Sequence, residues 1–143
     1  MVLVAKDIVE QEFLSLPQET TALEGARQMK AKRHGYAIIA SSTGSPEGIV
    51  TEWDYLSKIV AEGRDPSLVR LGDIMTSDLV SVDANVGLDQ VAELMAHKGI
   101  RRVLVLKDHK VIGVITAAIM LSRLKEYVDK VSSTIARLQS PMM

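Results

Sequence analysis

The chain has no cysteine among its 143 residues, so neither disulfides nor thiolate chemistry is open to it, and a reducing compartment suits it. Aromatic residues are only 3%, too few for the stacking platforms of single-strand nucleic-acid binders. The three histidines, His34, His97 and His109, show no tight metal-ligand spacing. Charge of one sign is also missing. Seventeen Lys and Arg against eighteen Asp and Glu leave a net charge of -1, and no global field recruits nucleic acid or an anionic membrane. Any anion site must be a local basic cluster. No apolar run is long enough to cross a bilayer, and Met1 is not followed by a basic start and apolar stretch of signal type. The expected location is the cytoplasm. No P-loop, dinucleotide glycine fingerprint, metal-ligand set or nucleophile-base motif is present, so the expectation is a protein that is not an enzyme.

What the sequence does have is internal repetition. Lys6-Asp7-Ile8 matches Gly72-Asp73-Ile74 at an offset of 66 residues, at which Ser15-Leu16 meets Ser81-Val82, Ala26 meets Ala92, and Met29 meets Met95. Gly48-Ile49-Val50-Thr51 matches Gly113-Val114-Ile115-Thr116 at an offset of 65. The lost residue falls between Ser41 and Glu47, opposite Lys107 to Ile112, in a loop where length changes are tolerated.

Each copy reads as βαββα. Short apolar runs at Glu12 to Leu16 and Asp78 to Val82 suit strands. Helical spacing of Leu23, Ala26 and Met29 predicts a helix over 21–32, and Leu88, Val91, Ala92 and Met95 predict one over 88–97. Strands are expected at 36–40 and 48–51, then at 103–106 and 111–116, with a second helix starting at Thr51 or Thr116. Gly63 and Pro66 end the first copy. The expected organisation is repeat 1 over 1–63, a linker over 64–69, repeat 2 over 70–127 and a helical extension over 128–143. Neither copy alone buries enough surface to be comfortable, so the two sheets should pack face to face about a pseudo-twofold axis, leaving two related clefts.

Thr51-Glu52-Trp53-Asp54 has two readings. A carboxylate accepts well from the adjacent hydroxyls of a ribose, but Thr-x-x-Asp is also close to a capping box, and cap and contact can coexist at Thr51. Repeat 2 has Thr116 but Ile119 in place of Asp54, and Ile accepts nothing. Arg101 and Arg102, with Lys98 before them, form a compact basic cluster suited either to phosphate or to solvent. Asp7 and Asp73 read as caps, and Trp53 as a packing residue. Leu121, Leu124, Val128, Val131, Ile135 and Leu138 alternate steps of three and four, a seam of nearly three heptads. Its first part suits packing on the domain; beyond Tyr127 it favours another chain.

Asp73-Ile-Met-Thr76, Gly99-Ile-Arg-Arg-Val-Leu-Val105 and Gly48-Ile-Val-Thr-x-x-Asp54, taken with their order and spacing within a duplicated unit, resemble a pair of cystathionine-β-synthase-type (CBS) repeats over Lys6 to Tyr127. The resemblance implies an α+β fold and a sensor module with an adenine nucleotide (AMP, ADP or ATP, less readily S-adenosylmethionine) between the repeats. It assigns Thr51 and Asp54 to the ribose, and Arg101 and Arg102 to the phosphates of the same cleft. Ile49, Leu79 and Val80 would line the adenine pocket. Leu14, Thr116 and His34 would border the second cleft, expected to be empty, weak or otherwise used. It also implies a homodimer through the repeat helices and the C-terminal helix, acting on a regulated protein. The alternative is an oligomerisation or docking module with vestigial clefts.

Overall fold

A computed structural model describes residues 3–139. Repeat 1 contains β1 (Ser15–Leu16), α1 (Ala22–Lys32), β2 (Tyr36–Ala40), β3 (Pro46–Thr51) and α2 (Glu52–Tyr55), which continues as a turn of π-helix over Leu56–Val60. After a short helix α3 (Leu71–Ile74), repeat 2 contains β4 (Ser81–Asp83), α4 (Leu88–Lys98), β5 (Arg102–Lys107), β6 (Lys110–Thr116) and α5 (Ala117–Gln139). Each sheet has its middle strand parallel to the first and antiparallel to the third, in the orders β1-β2-β3 and β4-β5-β6.

The duplication holds at the level of single hydrogen bonds. Isolated bridges join Glu10 to Val114 and Ile49 to Thr76, and others join Val4 to Gly87 and Thr21 to Arg70. Each pair maps onto the other by the repeat offsets. Both antiparallel pairs shift register at the same place, between Ile39 and Ala40 and between Val105 and Leu106. Asp7 and Asp73 cap equivalent turns, accepting from the amides of Val4 (2.9 Å) and Arg70 (3.1 Å). Helices α1 and α4 both stop on a left-handed residue, Arg33 (φ 56°) and Gly99 (φ 64°). Glycine adopts that conformation freely, whereas arginine does so at a steric cost.

Most elements match the sequence pattern. Thr21 caps α1 by accepting from the amide of Glu24 at 3.2 Å, and β2 spans the residues expected. The first strand of each repeat is shorter than its apolar run. Only Ser15–Leu16 and Ser81–Asp83 are regular, although the preceding chain still lies along the sheet: Leu14 and Val80 carbonyls accept from Ile38 (2.8 Å) and Leu104 (3.0 Å).

Packing does not follow the sequence boundaries. Val69, Leu71 and Ile74, from the expected linker and the start of repeat 2, lie in the core of repeat 1 with Leu14, Met29, Ile39 and Val50. Reciprocally, Ala5 and Ile8 belong to the core of repeat 2 with Leu88, Val91, Val103 and Ile115. The amide of Leu71 donates to the carbonyl of Thr20 (2.8 Å), and that of Lys6 to Ala84 (3.0 Å). Each repeat thus contributes its leading segment to the other. A third cluster, Tyr36, Ile38, Leu104 and Val114, joins the two sheets on their inner faces. No helix of the described residues is long and apolar enough to cross a membrane.

Candidate functional site

The junction of the sheets leaves a cavity of about 550 Å³ on one side of the third cluster, within the range of small-molecule sites. Its floor is set by the bridge between β3 and the segment after α3, where Ile49 and Thr76 exchange both amide bonds (3.0 and 2.9 Å). Six residues expected from the sequence share its wall: Ile49, Thr51, Leu79, Val80, Arg101 and Arg102. They come from both repeats, so neither repeat alone makes the site. The apolar members and the two guanidinium groups give it the mixed character of an organic anion site.

Asp54 is not on that wall. It is 4% exposed, and Oδ2 accepts from the amide (2.8 Å) and hydroxyl (3.2 Å) of Thr51. Oδ1 is paired with Lys58 Nζ at 2.9 Å, and the same ammonium donates to the carbonyl of Ile74 at 2.8 Å. The capping reading therefore describes the carboxylate as it stands, with its oxygens turned to Thr51 and Lys58.

Trp53 corrects the sequence reading. An aromatic in an amphipathic helix is expected to pack, yet Trp53 is 68% exposed and borders the cavity beside Thr51. Thr76 and Asp78 also line it. The Asp-Ile-Met-Thr motif was the signal for Thr76, which bridges to Ile49 of β3.

The pseudo-twofold mate of this cavity is different. Leu14, Thr116 and His34 do not line a common cleft. Leu14 lies in the core of repeat 1, Thr116 Oγ1 caps α5 by accepting from the amide of Ile119 at 3.1 Å, and His34 borders a cavity of about 500 Å³ with Gln11, Glu12, Phe13 and Lys32. Tyr36, in the cluster that joins the two sheets, stands where repeat 2 has Arg102. Its ring is buried and stacks on His34, with centroids 6.0 Å apart. Its hydroxyl donates to Glu10 Oε2 at 3.3 Å. Burial first, then the neighbouring Glu10 carboxylate, pushes the Tyr36 phenol above the usual tyrosine range. His34 Nδ1 is buried without a partner among the described residues. Gly35 and Tyr36 stand where repeat 2 has Arg101 and Arg102, so this cavity lacks both guanidinium groups.

The C-terminal helix leaves the domain. Only Met120 of α5 is buried, and every residue from Leu121 to Gln139 is exposed. The first part of the seam does not pack on the domain as expected. Leu56 of the π-helical turn is exposed at the place equivalent to Leu121.

Comparison with known proteins agrees with this architecture. The CBS domain family matches residues 5–61 and 71–126. A Methanopyrus kandleri protein, MK0525, is 31% identical over 77% of this chain, which spans 57% of that relative's length. The hexameric CBS-CP12 protein from bloom-forming cyanobacteria superposes with a TM-score of 0.76 at 32% identity, over 85% of this chain and 67% of its own. The CBS domain pair of protein MJ0100, solved with 5′-methylthioadenosine and S-adenosyl-L-methionine, superposes with a TM-score of 0.76 at 24% identity, over 88% of this chain and 98% of its own. With two matched segments on two equivalent βαββα units, the chain belongs to the CBS domain family as a tandem pair.

Proposed function

We propose that the chain is a non-catalytic regulatory module that binds one adenine nucleotide, AMP, ADP or ATP, in the cavity between the repeats. The observation that supports this reading is the convergence of Arg101 and Arg102 with Thr51, Ile49, Leu79 and Val80 on one cavity wall. The guanidinium groups would take the phosphates, and the apolar group with its backbone would take the base. Adenosyl ligands in the MJ0100 pair support the class of ligand. S-adenosylmethionine offers its carboxylate but also brings an ammonium and a sulfonium towards the two arginines, so a phosphorylated nucleoside fits better. Ribose hydroxyls would replace Lys58 at Asp54 Oδ1, since the lysine side chain is 41% exposed and can return to water. Ligand then changes how the repeats pack only to the extent that it binds one arrangement better, and a partner protein reads the change.

The exposed seam of α5 supports assembly of two or more copies, because a solitary helix with an apolar stripe is marginal in water. A homodimer is the simplest symmetric form. Isothermal titration with AMP, ADP, ATP and S-adenosylmethionine tests the ligand reading. Binding of a phosphorylated nucleoside, lost in the Arg101→Ala/Arg102→Ala double variant, is expected. No heat with any of the four would leave the docking reading, with vestigial clefts, as the function.

A further inference from the structure

The second cleft has a use that requires no ligand. Arg102 takes part in none of the three ion pairs among the described residues, yet its guanidinium carbon sits 5.0 Å from the centroid of the Tyr36 ring. That ring has little freedom. It is 4% exposed, stacked on His34 at an interplanar angle of 12°, and tied by its hydroxyl to Glu10. Glu10 is fixed in turn, because its amide and carbonyl both pair with Val114 (2.9 and 3.2 Å). Tyr36 is also the registered partner of Thr51, and Arg102 that of Thr116. One rigid aromatic face therefore reaches from His34, at the edge of the second cavity, to an arginine of the first.

We infer that Tyr36, held by Glu10 and His34, is the positioning residue that presents Arg102 to the anionic group of the ligand in the open cleft. This rests on the proposed nucleotide reading. Repeat 1 thereby supports the cleft of Arg102: a rotamer-rich arginine is preorganised on an aromatic face, and less entropy is lost when it meets a phosphate. The asymmetry between repeats then has a physical purpose at position 36, where a second arginine would offer no such face.

The test compares AMP with adenosine, since only AMP carries the phosphate that Arg102 would meet. Tyr36→Leu should weaken AMP about two- to thirty-fold and leave adenosine unchanged. Tyr36→Phe, which retains the ring, should retain most of the AMP affinity. In an Arg102→Ala background, Tyr36→Leu should have no further effect on AMP. Equal losses for AMP and adenosine, or additive losses in the double variant, would overturn the inference. Side-chain NMR supplies a readout that needs no ligand. The Arg102 δ protons should be shifted upfield by the Tyr36 ring, and the shift should vanish in Tyr36→Leu. A wild-type chain that binds neither AMP nor adenosine would sink the nucleotide reading alone; an unshifted Arg102 would sink the positioning role whether or not a nucleotide binds.

Discussion

Replacing Asp54 separates two roles that one carboxylate is asked to fill. Asp54→Ala removes the bond to the Thr51 amide, the bond to the Thr51 hydroxyl and the pair with Lys58. Losing a helix cap costs about 1 kcal/mol, and a hydrogen bond to a buried charged acceptor contributes about 1.5–3 kcal/mol. The Lys58 pair adds less than about 1 kcal/mol, because the ammonium is partly in water and retains its bond to Ile74. The expected loss is about 2–3 kcal/mol before any ligand is added. For a domain of this size that lowers Tm by roughly 6–12 °C. Lys58→Met leaves the cap intact but takes the partner of a buried carboxylate oxygen, so it should cost about 1–3 kcal/mol. It also frees Oδ1, so it should retain or tighten AMP binding, whereas Asp54→Ala abolishes it. Urea unfolding with intrinsic Trp53 fluorescence or circular dichroism, run beside calorimetric titration, measures both quantities. An Asp54→Ala chain within about 0.5 kcal/mol of wild type would refute the capping account. A Lys58→Met chain that binds AMP more weakly would refute the exchange at Oδ1.

Other consequences follow from the packing. Leu71→Ala, in a segment the sequence assigns to repeat 2, should destabilise by about 2–5 kcal/mol, and the amide NMR shifts it moves should cluster in repeat 1; changes confined to β4–β6 would contradict the exchanged segments. Truncation before Asp129 should weaken self-association in sedimentation velocity, and an unchanged assembly would show that the seam does not join the chains. Burial pushes the Tyr55 phenol up to about 12, its hydroxyl donating to the Ala22 carbonyl at 2.7 Å. A raised tyrosine pKa adds stability that is full below the unfolded value near 10 and is lost as pH climbs through the folded one. Stability should therefore fall between about pH 10 and 12, and Tyr55→Phe should flatten that limb; an identical alkaline profile would refute it.

Much of this was legible before any coordinates. The offsets of 66 and 65 residues identified the repeat, and the cross-pairing of repeats placed Ile49, Thr51, Leu79, Val80, Arg101 and Arg102 as one set. What sequence does not encode locally is the direction of a side chain. Asp54 at the third position of a helix satisfies both a cap and a ligand contact, and only the position of Lys58 one turn later distinguishes them. Val69 fell in the expected linker and Leu71 and Ile74 at the start of repeat 2, and apolar character alone does not name the core that takes them. Tyr36 registered only as the start of an expected strand. Its partner Glu10 lies 26 residues away, and its stack beneath Arg102 spans the two repeats. Trp53 was read as packing because aromatic residues usually bury their surface, a rule that fails at the rim of a cavity.

The central claim is one nucleotide per chain, held between unlike halves. Native mass spectrometry of the full chain with saturating AMP, ADP or ATP reads it directly. The account predicts a mass increment of one nucleotide per chain in whatever assembly forms, absent from the Arg101→Ala/Arg102→Ala variant. Two nucleotides per chain would show that the second cavity binds without the arginine pair, and none with any of the three would contradict nucleotide binding itself.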